Sequence, residues 1–483
     1  MLNILSIKKK NFELVLGIII PLSFLILYYL SVFFISAYVY LLGFLFILSI
    51  ILSLIIQKNI FNCFFLSFAL SICLPTITHP IDLFPQSMLF LSDDLFLYSD
   101  RFSLRSIGLL IISFTCFFFL TLKLISERSI LVIPLFIFSF LFVLIFMHHS
   151  YEKLSMFQII IDFGQVFLCI STIIFFRSLE PSYKNKLLAN SYINLIFSFL
   201  VIFILFDLLL TFSGLISWSH SYRGAIQGAF YYSELNYSLF LGIAFIFILY
   251  KLNLNNFVYI LLSSIFTFIL FLTQIKTTGF AFIIAIFVIS LFKKKLFNKL
   301  LAPLIAFSLI FLILFLLGAE ETNSLIARFL TYYLYFWTII DGNNLVFGIM
   351  PGIHDVTFPS NLSLYFFDAG YVELLTGFPD NIAEEYISRS TYDEGGAFLP
   401  HNTLLTVLSG YGIITLYHMF IYLYLTPYNL IKKIRSSELQ EYEYLISMVV
   451  FIALCSLLHP IMQVSIIIFI IEFLNFSKKV KNC

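Results

Sequence analysis

Apolar residues run in blocks of about twenty along almost the whole chain, separated by short polar turns. A bilayer core needs about 20 apolar residues per helix. On that scale the pattern predicts about fourteen helices, with twelve as the lower bound. Their approximate limits are 12–31, 36–56, 60–77, 106–125, 130–148, 156–176, 188–212, 232–250, 256–273, 277–292, 300–318, 403–424, 444–458 and 461–476. The last two are short. Backbone polar groups in lipid must be satisfied within the protein, which leaves helices or closed barrels. Barrel strands would read as short alternating segments, and none stand out here. The expected fold class is therefore all-α integral membrane protein, in three regions. Residues 1–318 carry helices 1–11, residues 319–402 form a large external loop, and residues 403–483 carry helices 12–14. The start of the large loop has amphipathic spacing, which suits short helices lying along the membrane surface.

Composition agrees with the pattern. The 483 residues are 61% hydrophobic and 11% charged, against about one-quarter charged in soluble domains. Charge distribution then gives a direction. With the N-terminus in the cytoplasm and the spans alternating, 20 of the 27 Lys and Arg fall on the cytoplasmic side. That bias is the positive-inside rule, and both termini are expected in the cytoplasm. Lys8, Lys9 and Lys10 precede the first apolar run, which is long and lacks a clear cleavage site. It reads as a retained first helix.

Other features narrow the chemistry. The net charge of +1 points to no nucleic-acid partner. Five of the six cysteines fall in apolar runs, so neither a disulfide framework nor a zinc site is expected. No Walker A, GxSxG or HExxH sequence occurs. Between residues 319 and 400, eleven Asp and Glu face two Arg. Those carboxylates serve either solvation or hydrogen bonding to sugar hydroxyls. Asp162, Asp207 and Glu472 fall within or near the ends of spans, where structural or interfacial roles fit better than a proton relay.

Seven basic residues fall on the external side against the orientation bias: Arg101, Arg105, Lys153, Arg223, Lys276, Arg328 and Arg389. Arg223, Lys276 and Arg328 adjoin spans and can share one depth. Arginine offers a planar fork to phosphate and lysine a point charge. A polyprenyl diphosphate places its charged head at that height; the alternative is interfacial anchoring. In "FLPHNTLLTVLSGYGIITLY", His401 has a near-neutral intrinsic pKa and can take a proton. Asn402 either supports it or caps the helix beginning at Thr403. Glu234, near the start of the eighth span, is a second base or a sugar ligand, or else an interfacial carboxylate.

These stretches together carry a resemblance. "RGAIQGAFYYSELN" resembles the Arg-Gly stretch and Glu/Asn-containing helix start of the O-antigen ligase/polymerase superfamily. "LTQIKTTGF" is similar to its Thr-x-Ser-Arg-x-Gly turn, with Lys276 in place of arginine and Ile275 where serine is common. "ARFLTYYLYFWTIIDGNNLVFGIMPG" resembles its Arg-, Trp- and Gly-containing approach to the large loop. "PHNTLLTVLSGYGIITLY" is similar to its His-Asn helix start with following glycines. The four pieces keep the family's order over residues 223–417.

The resemblance implies a membrane-embedded, GT-C-like glycosyltransferase in the bacterial inner membrane, its active site facing the periplasm. It implies no cofactor and no metal. Donor and acceptor would be undecaprenyl-diphosphate-linked oligosaccharides among the membrane lipids, with a chain-length regulator protein as a further partner. Arg223, Lys276 and Arg328 would hold the diphosphate. His401 or Glu234 would be the catalytic base, supported by Asn402. The extreme hydrophobicity and the tyrosine-rich acidic loop favour an O-antigen polymerase. The alternatives are the related ligase, which moves glycan to lipid A-core, and a lipid-linked oligosaccharide flippase.

Overall fold

The computed structural model describes residues 172–173, 175–177, 179–212, 234–251, 256–273, 276–292, 345–346, 403–434, 440–458 and 464–482. All regular structure among them is helical: α1 (Tyr183–Phe212), α2 (Glu234–Lys251), α3 (Asn256–Leu272), α4 (Lys276–Phe292), α5 (Thr403–Phe420), α6 (Thr426–Ile434), α7 (Glu443–Leu458) and α8 (Val464–Asn482). A π-helical turn, Ile421–Leu425, joins α5 to α6, and a 3-10 turn, Gln440–Tyr442, leads into α7. The predicted blocks 232–250, 256–273, 277–292 and 444–458 coincide with α2, α3, α4 and α7 to within about two residues, whereas helix begins five residues ahead of the 188–212 block and runs ten past 403–424 and six past 461–476; the five blocks between 12 and 148, nearly all of 156–176 and the 300–318 block lie outside the described residues. Tyr183–Ile202 combines the length and apolar character needed to cross a membrane; Tyr237–Lys251, Phe257–Leu272, Thr277–Val288 and Glu443–Leu457 are apolar but shorter.

The chain divides into two compact units. One comprises Met1–Ser217, Gln227–Ser233 and Asn475–Cys483; the other comprises Trp218–Ile226 and Glu234–Leu474.

In the first unit, Ser182 caps α1 by accepting the Asn185 backbone N–H at 3.3 Å, which satisfies one of the helix's orphan donors. Ala189, Ile193, Ile196, Leu200 and Ile204 form a buried stripe at helical spacing. The other face is also apolar, with Ile202 and Leu209 more than 60% exposed. Serines in this apolar helix spend their protons locally. Ser191 donates to the Leu187 carbonyl at 2.9 Å and Ser198 to Asn194 at 2.7 Å.

In the second unit, aromatic contacts set the helix directions. Phe245 of α2 stacks on Phe266 of α3, centroids 3.8 Å apart and planes 4° from parallel. Phe282 of α4 meets Phe245 at 6.4 Å and Phe451 of α7 at 6.3 Å, both edge-to-face. Along α2 the α7 partners fall in number as α2 rises. Gly242 lies under the Phe451 ring, and Tyr250 accepts from Ser447 at 3.1 Å. Lys251 sits 4.3 Å over the Tyr444 ring. So α2 and α7 run antiparallel. The α3–α4 turn is tight, with Phe271 meeting Phe280 edge-to-face at 6.3 Å. Hence α2 and α4 run parallel, and their first residues lie at the same end of the unit.

One face of α3 remains uncovered. Phe257, Leu261, Ile265 and Phe268 recur at spacings of four, four and three, each more than 40% exposed. Buried Ser263 and Thr267 hydrogen-bond the carbonyls of Tyr259 and Ser263.

Candidate functional site

Glu234 is the first residue of α2 and Lys276 the first of α4. The parallel course of those helices brings two of the sequence-predicted site residues to one end of the second unit. Their local settings differ physically. Glu234 adds negative charge at the positive end of a helix macrodipole, a favourable placement. Lys276 adds positive charge there, an unfavourable one. At that end the backbone N–H groups of the first turn lack intrahelical partners.

Thr273 folds back on the last turn of α3. Leu270 accepts the Thr273 hydroxyl at 2.6 Å and the Thr273 backbone N–H at 3.3 Å. Gly279 then lets α4 pass close to α3, since a Cβ there would come within 2.9 Å of the Phe271 ring. Phe245, Phe266, Phe282 and Phe451 form one aromatic cluster linking α2, α3, α4 and α7. Phe282 lies about 9 Å along α4 from Lys276 at 1.5 Å per residue.

Thr403 is buried and opens α5. His401 and Asn402, directly ahead of it, lie outside the described residues, as do Arg223 and Arg328. Of the six predicted site residues, the structure thus brings together the helix positions of Glu234 and Lys276. Among the described residues no group of three His, Cys, Asp or Glu is set to hold a metal.

The segment after Thr403 differs from the single straight helix expected over 403–424. Gly412 has φ 80° and ψ 178° inside α5, a combination that glycine alone adopts readily. The helix breaks there. The Ile413 N–H, which an unbroken helix would direct to the carbonyl four residues back, donates instead to the Leu345 carbonyl at 2.8 Å. Leu345 belongs to the long acidic loop. Eight residues past Ile413 the chain enters the π-helical turn, where Thr426 donates both its backbone N–H and its hydroxyl to the Ile421 carbonyl. Two tyrosines of that turn tie it to other helices. Tyr422 donates to the Glu472 carboxyl at 2.8 Å, and Tyr424 bonds Ser456 at 2.9 Å.

Glu472 is therefore an acid held by a tyrosine hydroxyl, in keeping with the structural role expected of it. A glycine within an apolar run was the signal for the break. At the opposite end of α2, partial desolvation lowers the Lys251 pKa from its usual value, and the Glu441 carboxylate works against that. No protein-family model matches the sequence, and no curated protein or solved structure matches it.

Proposed function

We propose that this chain is an O-antigen polymerase of the inner membrane, a metal-independent glycosyltransferase with a GT-C-like arrangement of about fourteen spans. The observation that carries the reading is that Glu234 and Lys276, each the first residue of a helix within a stretch that resembles the superfamily, lie at the same end of the helical unit. The uncovered apolar face of α3, Phe257 through Phe268, supports a lipid surround.

In this reading the donor glycan is joined through its anomeric carbon to undecaprenyl diphosphate. An acceptor hydroxyl of another lipid-linked unit attacks that carbon. The new C–O bond forms as the bond to the diphosphate breaks, and the bonding electron pair leaves with undecaprenyl diphosphate. His401 or Glu234 takes the hydroxyl proton. Lys276, with Arg223 and Arg328, stabilises the departing charge, as fixed cations do when they are oriented before the reaction. Asn402 supports the histidine. The lipid tail fixes the depth of the reacting bond, and the sugars extend into the acidic loop.

The test is a lipopolysaccharide gel from the source bacterium with the gene deleted. A core bearing a single repeat unit supports the polymerase. Bare core overturns it and points to the ligase or the flippase. Long lipid-linked chains outside the membrane then mark a lost ligase, and single units inside mark a lost flippase.

A further inference from the structure

We propose that the start of α1 and the end of α8 form a basic edge that holds the headgroup of an anionic phospholipid in the cytoplasmic leaflet. Four cations carry it, Arg177, Lys184, Lys478 and Lys479, all within the first unit. Arg177, Lys184 and Lys479 are exposed and Lys478 is half-buried. Phe176 packs against Phe476 of α8 with ring centroids 6.2 Å apart, and both rings are buried. Arg177 directly follows the first ring, and Lys478 and Lys479 lie within one turn of the second. The change from buried aromatic to cation therefore comes at one level in both segments. Lys184 is seven residues past Arg177, at most about 25 Å of chain. Glu180 is the one acid in residues 176–186 and 476–481, so positive charge dominates the edge. The charge bias along the sequence puts this level on the cytoplasmic side.

Beyond the cations, the open face of α1 suits acyl chains. At about 3.6 residues per turn, Lys184 falls on the same face as Leu195, Ile202 and Leu209. All four are exposed. Lys186 falls on the opposite face and is buried. Ser191, also on the open face, donates its hydroxyl proton to the Leu187 carbonyl and so needs no partner in lipid. From Lys184 to Leu209 the helix rises about 38 Å, more than a bilayer core. One face thus presents a cation at headgroup level and hydrocarbon after it, the order of groups in a phospholipid. Clusters of Lys and Arg just cytoplasmic of spanning helices attract anionic lipid. A zwitterionic headgroup brings a cation of its own, so the edge selects by net charge.

This inference stands apart from the polymerase reading and uses none of its site residues, so either can fail alone. The test is lipid binding to the purified full chain in detergent, followed by native mass spectrometry as phosphatidylglycerol or phosphatidylcholine is titrated in. The wild type should bind phosphatidylglycerol more tightly. Lys184→Gln, Lys478→Gln and Lys479→Gln together should weaken that binding by about fivefold for each charge removed, leaving phosphatidylcholine binding unchanged. A control carrying Lys432→Gln and Lys433→Gln, on α6, loses a similar charge at another place and should keep the wild-type affinity. Equal binding of the two lipids by the wild type overturns the proposal. So does an unchanged affinity in the triple variant. A matching loss per charge in the control overturns it too, by reducing the effect to total charge. Displacement of phosphatidylglycerol by inorganic phosphate overturns the lipid as the occupant. Should the triple variant fail to fold, Lys479→Gln alone decides, with about a fivefold loss expected and no loss overturning the edge.

Discussion

The Ile413 backbone N–H donates to the Leu345 carbonyl at 2.8 Å across 68 positions of sequence. One partner lies inside an apolar helix and the other in the acidic loop. The bond exists because Gly412 turns the chain out of helical geometry just before Ile413. That turn leaves the Ile413 N–H without its intrahelical acceptor, and the Leu345 carbonyl takes its place. Loop and helix are thus joined through main-chain atoms, which side-chain substitution at either residue leaves in place.

Gly242 and Phe451 give the first prediction. A Cβ at 242 would overlap the Phe451 ring, which is fully buried. Gly242→Ala should destabilise the protein by about 1–3 kcal/mol through overpacking. Phe451→Leu alone should also destabilise it by leaving a gap. Combined, the two should cost less than their sum, because the smaller side chain makes room for the methyl group. Thermal unfolding in detergent reads this; strict additivity would mean the two helices do not meet at this point.

Tyrosines 422 and 424 should differ in weight. The Tyr422 hydroxyl donates to a buried carboxyl group at 2.8 Å. The Tyr424 hydroxyl meets Ser456, whose own proton goes to the Ala453 carbonyl at 2.7 Å. Tyr424→Phe therefore leaves the serine with a partner and should cost about 0.5–1.5 kcal/mol. Tyr422→Phe removes a bond to the Glu472 carboxyl and should cost more, roughly 1–3 kcal/mol. Equal losses in thermal melts, or a larger loss for Tyr424→Phe, would argue against this ranking.

The helices were legible because apolar run length depends only on local composition. The limits of α2, α3, α4 and α7 fall within a few residues of the predicted ones. The pairing of α2 with α7 was not legible. It rests on Gly242 admitting the Phe451 ring, and nothing in either residue's sequence neighbourhood names the other. The break at Gly412 was half legible. A glycine in an apolar run permits a bend, but the bend occurs where a loop carbonyl 68 residues upstream accepts the freed N–H. For the candidate site, helix starts at Glu234 and Lys276 follow from where apolar runs begin. Their shared end required the course of α3 between them.

Lys276 offers a test of ligand charge. It opens α4 against the helix dipole, an arrangement that an anionic ligand would offset. Lys276→Arg should preserve polymer formation, since both cations bind phosphate. Lys276→Gln should raise the KM for the lipid-diphosphate donor by about tenfold or more, roughly 1.4 kcal/mol of lost interaction. It should also stabilise the empty protein slightly, by relieving the charge–dipole repulsion. Opposite effects on melting and donor affinity would mark a binding residue. A parallel loss of both would mark a structural one.

His401 and Glu234 compete for the role of base, and pH separates them. Removing a general base typically lowers the rate by about 10²–10⁴-fold. His401→Ala and Glu234→Gln should each be placed in the deletion strain, with membrane levels of protein matched by blot. Where His401 is the base, its alanine variant yields core with single repeat units. Glu234→Gln then retains shortened polymer, with the wild-type pH profile. An intact histidine base has to be neutral to accept a proton, so activity in purified membranes rises with pH through the imidazole range near 6.5. In His401→Ala that rise disappears. Where Glu234 is the base, Glu234→Gln is the silent variant and His401→Ala keeps measurable polymer. Polymer of wild-type length from both variants would remove both residues from the chemistry, leaving the His-Asn pair as a helix start and Glu234 as a favourable charge at the first turn of α2.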